Sequence, residues 1–342
     1  MNRISIDKLN ELYSRINSQV GKLVLPIKKA NVVNFDVWGE GEEVSLNTLK
    51  TATSPKDYFF PQSETLMKFL YSGKNISIED VRDDHNPFVL FGVKACDLKS
   101  FEVLDNVFLA DPVDTYYQAR REACTIVSMS CKNPDESCFC TAFGIDPTNP
   151  KSDVTAHLVG DYLYLNANTK KGEDLILKVS DLLETTTDEE VEKHKERIAG
   201  IISKLPLSNL DLSKIDAIST DEMFDSDKWQ DLSSTCMGCG SCTFVCPTCQ
   251  CFDIRDFNTS KGTIRYRCWD SCMYSEFTQM AGGNNRTTSL QRFRQRFMHK
   301  LKYYPENNDG MFSCVGCGRC LKKCPQHLNI VKVIKAFGGV KK

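Results

Sequence analysis

Apolar residues recur near helical spacing over residues 1–20, at Ile4, Leu9, Leu12, Ile16 and Val20, and predict an amphipathic helix there. The pattern then shortens. Residues 22–27 and 32–37 read as strands. The Pro/Ser/Lys-rich stretch 54–61 reads as a loop whose aromatics, Tyr58, Phe59 and Phe60, pack back on the domain. Residues 87–93 and 124–130 are apolar runs of the kind that forms buried strands, and 98–109 between them reads as a helix. That order predicts an α/β layer, in which the two strands can be parallel neighbours. Residues 154–165 alternate as a hairpin or edge strand does, while 172–183 and 189–205 read as helices. Residues 206–232 are polar and acidic with little periodicity, a linker or a meandering connection with a docking helix. Farther on, 284–304 puts Leu290, Phe293, Phe297, Leu301 and Tyr304 on one helical face, and 328–337 is also helical.

Cysteine changes the picture most. Cys236, Cys239, Cys242 and Cys246 are followed by Pro247; Cys314, Cys317, Cys320 and Cys324 are followed by Pro325. The repeated run C-x2-C-x2-C-x3-C-P is the mark of a bacterial-type pair of [4Fe–4S] clusters, in which the fourth cysteine ligates the other cluster. One cluster then takes Cys236, Cys239, Cys242 and Cys324, and the other Cys314, Cys317, Cys320 and Cys246. Gly240 and Gly318, after the second cysteine of each run, allow the left-handed backbone that a tight bend round an inorganic core needs. Structural zinc uses separated cysteine pairs and has no need of the third step or the terminal C-P. The fold expected is α+β, an N-terminal α/β domain over 1–225 followed by a mainly helical dicluster ferredoxin-like domain over 226–342.

The 342 residues suffice for roughly two domains of about 150 residues each. A net charge of −2 gives no reason to expect nucleic acid or an anionic membrane surface. Seventeen cysteines, an odd total in tight runs, suit metal ligation in a reducing cytoplasm better than a secreted disulfide framework. The N-terminal MNRISIDKLNEL has no signal-peptide core, and no segment approaches the ~20 apolar residues of a membrane helix. A cytoplasmic protein of an anaerobe is expected.

A looser set lies upstream. Cys96 and Cys131 end the two apolar strands, and Cys138 and Cys140 follow in one short loop. At the C-terminal edge of a parallel sheet, the usual ligand position, these four thiols can hold a third [4Fe–4S] cluster. Zinc and inert buried thiols are the other readings, and Cys124, inside a strand, reads as core. Cys249, Cys251, Cys268 and Cys272 match no defined ligand spacing; they read as thiols around the first cluster or as a further metal centre. The basic stripe Arg292, Arg294, Arg296, Lys300 and Lys302 reads as the solvated face of an amphipathic helix, as charge compensation for anionic clusters, or as a dock for an acidic partner. His85, His157, His194, His299 and His327 form no motif. There is no P-loop, no G-x-G-x-x-G and no serine elbow, so no catalytic residue is assigned.

The phrases FGVKACDL (91–98), YYQARRE (116–122), SCKNPDESCFC (130–140), CMGCGSCTFVCPTCQCFDI (236–254), CWDSCM (268–273), MAGG (280–283) and SCVGCGRCLKKCPQ (313–326) stand in one order. In that order the chain resembles the iron–sulfur β subunit of cytoplasmic NiFe hydrogenases of the sulfhydrogenase type. It is similar in layout to the dicluster iron–sulfur component of anaerobic sulfite reductase. It departs from the family after MAGG, where Asn284-Asn285-Arg286 stands in place of a frequent histidine. The resemblance implies a relay of single electrons between a flavoprotein subunit, linked to NAD(P)H or ferredoxin, and a catalytic redox subunit. It also implies that Cys96, Cys131, Cys138 and Cys140 belong together. Two rival functions remain open at this point: a zinc-stapled scaffold without redox chemistry, and a subunit that reduces a small substrate at an irregular cluster on Cys249, Cys251 and Cys272.

Overall fold

The computed structural model describes residues 1–81 and 86–340. His85 lies outside them. Among the described residues fourteen strands run in chain order: β1 Asn2–Ser5, β2 Lys22–Lys29, β3 Val32–Val37, β4 Ser63–Ser72, β5 Asn75–Asp80, β6 Phe88–Lys94, β7 Cys124–Met129, β8 Val154–Val159, β9 Tyr162–Ala167, β10 Glu184–Thr185, β11 Phe252–Thr259, β12 Gly262–Trp269, β13 Gln279–Met280 and β14 Gly283–Asn284.

Eight of them form one mixed sheet in the order β10-β1-β9-β8-β7-β6-β2-β3. Its centre is parallel, with β2 beside β6, β6 beside β7 and β7 beside β8. Alternate side chains feed two cores, as the period of a strand requires. Leu23, Leu25, Val89, Phe91, Val127 and Met129 meet the helix Leu9–Gln19 through Leu12, Tyr13 and Ile16. Val24, Leu90 and Ile126 meet Phe59, Phe60 and the helix Ala95–Phe108 through Phe101, Leu104 and Phe108. The buried, layered sheet, the parallel β6–β7 pair and the packed aromatic loop are as the hydrophobic pattern predicts. Residues 1–20 are not one helix. Asn2–Ser5 pairs antiparallel with β9, which seats Ile4 in the core, and the helix starts at Leu9.

The C-terminal half is helical around a second core. Residues 206–232 hold three short helices, Ser213–Ala217, Thr220–Phe224 and Lys228–Ser233. They bury Ile215, Met223 and Trp229 against Phe293, Phe297, Ile334 and Phe337. The helix Ser289–Met298 starts at a capping box on Thr288 and Gln291 and continues into a π turn at His299–Tyr303. Phe293, Phe297, Leu301 and Tyr304 are buried along it, the face that the spacing predicts.

One element is not visible in the helical periodicity. β11 and β12 form a ribbon between the two cysteine runs, and β12 pairs with β4, giving a four-stranded sheet in the order β11-β12-β4-β5. Strands from either side of residue 225 thus share one sheet. Arg267 on β12 ties it down: its Nε donates to Glu64 at 2.6 Å with both side chains 4% exposed, and a second nitrogen reaches Asp114.

Candidate metal centre

The two cysteine loops are conformational copies. Gly238 and Gly240 have φ of 66° and 72°; Gly316 and Gly318 have 59° and 76°. Each loop feeds a short helix, Ser241–Phe244 and Arg319–Lys323, whose second residue is the third cysteine of its run. Gly318 is also demanded by crowding. A Cβ there would stand 2.2 Å from the carbonyl oxygen of Ser137, and one on Gly316 would stand 2.5 Å from the backbone of Phe139.

The loops fold against each other with their fourth cysteines exchanged. Cys236, Cys239, Cys242 and Cys324 line one cavity. Cys246, Cys314, Cys317 and Cys320 line a second. Each cavity is lined by three thiols from one run and the fourth from the other. Among the described residues no three His, Cys, Asp or Glu side chains close on a point that would seat a single ion.

Both cavities carry donors suited to an anion of sulfur. The backbone N–H of Leu328 donates to Cys324 Sγ at 3.2 Å. Cys239 Sγ lies 3.5 Å from the Ser241 hydroxyl, which holds the Cys239 thiol below its usual pKa. Cys246 Sγ lies 3.3 Å from the Thr248 hydroxyl. Burial pushes Cys320 up to about 12 and raises Cys242, Cys314 and Cys317 as well. Such thiols ionise only when a cation takes the proton's place.

The cations are present. Lys300 is buried, and its Nζ donates to Thr248 Oγ1 at 2.8 Å and to the Ser313 carbonyl at 3.2 Å. Burial opposes its charge, yet the neighbouring Cys246 and Cys249 raise its pKa above that of an ordinary lysine. Arg296 is 3% exposed and lines both cavities; Nη2 donates to the Cys242 carbonyl at 3.2 Å, while Nε and Nη1 have no partner. A buried donor without an acceptor is expensive, about 1–3 kcal/mol and more for a charged group. A sulfur-rich anion in the cavities fits it. The rest of the stripe also turns inward. Lys302 is buried and donates to the Ile218 carbonyl at 2.7 Å; Arg292 donates to the Met273 carbonyl at 3.1 Å; Arg294 stacks 3.5 Å over Phe224. The solvated-face reading therefore fails for Arg296, Lys300 and Lys302, which are buried, while Arg292 and Arg294 are half-buried with their heads on a carbonyl or a ring.

The third set gathers beside the second cavity. Cys96 sits in the first turn of the helix that follows β6, and Cys131 just past β7. The loop between 131 and 140 folds back over them. Cys140 acts electrostatically on Cys96, and Cys131 and Cys138 act on Cys140. Two lysines flank the group: buried Lys94, near Cys131 and Cys96, and Lys50, whose Nζ donates to Asp135 at 3.0 Å. The Phe139 N–H donates to the Gly316 carbonyl at 3.2 Å, joining this loop to the second run. Arg319 reaches across with a buried fork to Asp97, at 2.6 and 2.8 Å. Cys124 is core, 2% exposed.

Cys249 and Cys251 lie behind the second cavity, with Cys249 hydrogen-bonded to Cys246 and Cys251 to Cys272. Lys56 is buried there, its Nζ 2.8 Å from the Cys249 carbonyl and 3.8 Å over the Trp269 ring. Cys268 stands apart on β12, opposite Asp253 and Ser63. His157 and His194 are buried. Sequence reasoning missed Lys50, Lys56, Lys94, Asp97 and Arg319. Only Asp97 and Arg319 carried a signal, as charged neighbours of Cys96 and Cys320.

The 4Fe-4S dicluster domain family matches residues 235–328, the stretch that contains both runs. Over 328 residues the chain is 34% identical to sulfhydrogenase 2 subunit beta of Pyrococcus furiosus, covering 95% of this chain and 94% of that one. The chain belongs to the sulfhydrogenase β-subunit family. As a member it is an iron–sulfur electron-transfer subunit that holds [4Fe–4S] clusters and works within a multi-subunit complex. Among the described residues no helix is long and apolar enough to cross a membrane.

Proposed function

We propose that this β subunit carries single electrons between a flavoprotein subunit, linked to NAD(P)H or ferredoxin, and a catalytic redox subunit of hydrogenase or sulfite-reductase type. The exchanged fourth cysteines carry the reading, since two cavities each lined by three thiols of one run and one of the other suit two cubanes held side by side. Cys236, Cys239, Cys242 and Cys324 hold one, and Cys314, Cys317, Cys320 and Cys246 the other. Cys96, Cys131, Cys138 and Cys140 hold a third. The domain over 1–225 provides that third site, the domain over 226–342 the pair, and the protein works in the cytoplasm.

When bound, each cluster supplies a one-electron centre with no proton to manage. The protein's part is positioning and charge. Thiolates fix the clusters, Leu328 N–H donates to cysteine sulfur with the Ser241 and Thr248 hydroxyls in hydrogen-bond contact with it, and Arg296, Lys300 and Lys50 offset the accumulated negative charge. Cys249, bonded to Cys246, and the Cys251–Cys272 pair are supporting thiols. The three cysteine sets follow one another in space, the upstream set touching the second cavity through Cys96 and Cys317, and the second sharing Arg296 with the first.

Anaerobic purification tests this. A brown protein bleached by dithionite, with iron and acid-labile sulfide for three clusters, is expected. A colourless protein with stoichiometric zinc would refute it. Subunits that co-purify with the chain should include one flavoprotein and one catalytic redox subunit.

A further inference from the structure

Arg296 is the side chain whose placement the ligand set does not explain. It lies on the helix Ser289–Met298 and faces both cysteine cavities. An interior position for a guanidinium normally requires a carboxylate fork or a full set of carbonyl acceptors. Here the single bond is Nη2 to the Cys242 carbonyl, at 3.2 Å. Nε and Nη1 are buried and unpartnered. The charges that act on it are sulfurs drawn from both sites: Cys242 of the first, and Cys320 and Cys246 of the second, with Cys249 behind. Its guanidinium also lies 4.5 Å over the Phe297 ring. Its neighbours on the stripe differ in lining neither cavity: Arg294, whose Nε is also buried without a partner, rests on the Phe224 ring and bonds the Phe224 carbonyl at 3.1 Å, and Lys302 bonds backbone carbonyls.

We infer that Arg296 is a shared counter-charge and N–H donor for the two clusters, and that it sets the reduction potentials of both. The inference rests on the two-cluster reading above. A cubane held by four thiolates is a net anion, and reduction adds a further negative charge. A fixed cation within reach favours the reduced form, and N–H donation to sulfur acts in the same direction. Because one guanidinium faces both sites, a single substitution should move two potentials together. Its charge also screens the repulsion between neighbouring reduced clusters, so both can hold an electron at once.

The test is redox titration of the anaerobic, full-length protein followed by electron paramagnetic resonance, with iron and sulfide counted on the same samples. Three variants are compared with wild type: Arg296→Gln, Arg296→Lys and Arg294→Gln. In Arg296→Gln both midpoints should move to more negative potential with iron retained. Arg296→Lys, which keeps the charge and loses the fork, should show a smaller shift of the same sign. Arg294→Gln should leave both midpoints in place even if it lowers thermal stability. Midpoints equal to wild type in iron-replete Arg296→Gln would overturn the inference and leave the two-cluster reading intact. So would a shift confined to one cluster. Should Arg296→Gln fail to retain iron, Arg296→Lys decides alone, unchanged midpoints there overturning the inference. Wild-type protein without two interacting cubanes would instead defeat the underlying reading.

Discussion

The two cysteine cavities are built from one motif and sit in different surroundings. The first opens outward. Cys239 is exposed and Met237 beside it is 64% exposed, so that site meets solvent at the Met237–Gly240 turn. The second lies inside, with Cys246 and Cys317 each 9% exposed, Lys300 beneath it and the upstream cysteine loop packed on Gly316 and Gly318. Spacing therefore sets which thiols meet, and burial sets what each site is suited for. The exposed site suits exchange with a partner surface; the enclosed one suits an internal station between neighbours.

That contrast can be broken in stages. Cys246→Ala should have the largest effect, removing one cluster's iron from the enclosed site while the exposed site keeps its signal. Loss of partner-dependent electron flow should accompany it, and iron analysis with spectroscopy checks both. Unchanged iron in this variant would contradict the exchange of fourth cysteines. Asp97→Ala strands the Arg319 guanidinium between the upstream set and the enclosed site. Removing one partner of a buried pair should destabilise the fold by about 3–5 kcal/mol, read from anaerobic denaturant unfolding. Lys300→Met should lower only the enclosed site's potential, and should weaken folding by about 0.5–1.5 kcal/mol per lost hydrogen bond, since Thr248 still donates to the Ser313 carbonyl at 2.6 Å. Ser241→Ala is the mildest. It should alter the exposed site alone and change stability by less than about 1 kcal/mol, since the hydroxyl it removes is close to water.

Much of this was legible in the sequence because it is local. Cysteine spacing, the apolar runs of β6 and β7 and the Phe293–Phe297 face each declare themselves within a dozen residues. The four-stranded sheet does not. β5 is exposed along its whole length, and Ile76 and Ile78 stand in solvent, so no buried alternation marks it. The β11–β12 ribbon turns between Thr259 and Gly262, within the stretch that joins the two cysteine runs, and its pairing with β4 is remote. The basic stripe was ambiguous for a different reason. Arg296 and Lys300 are spaced like surface charges, and an anionic cofactor beside them is what would make the unpartnered Arg296 nitrogens tolerable. That fact belongs to the cofactor's chemistry and leaves no trace in periodicity.

The join between β4 and β12 bears on how the chain is made. Tyr71 and Thr263 meet across 192 positions, so one edge of an early strand has no neighbour until most of the polypeptide has left the ribosome. Glu64 waits equally long for Arg267. A half-made chain displays an open strand edge flanked by Met67 and Leu70, the kind of surface that pairs with strangers. Nascent subunits should thus depend on chaperone shelter until the ribbon arrives, and truncation between the two cysteine runs should yield aggregates in place of a smaller soluble protein.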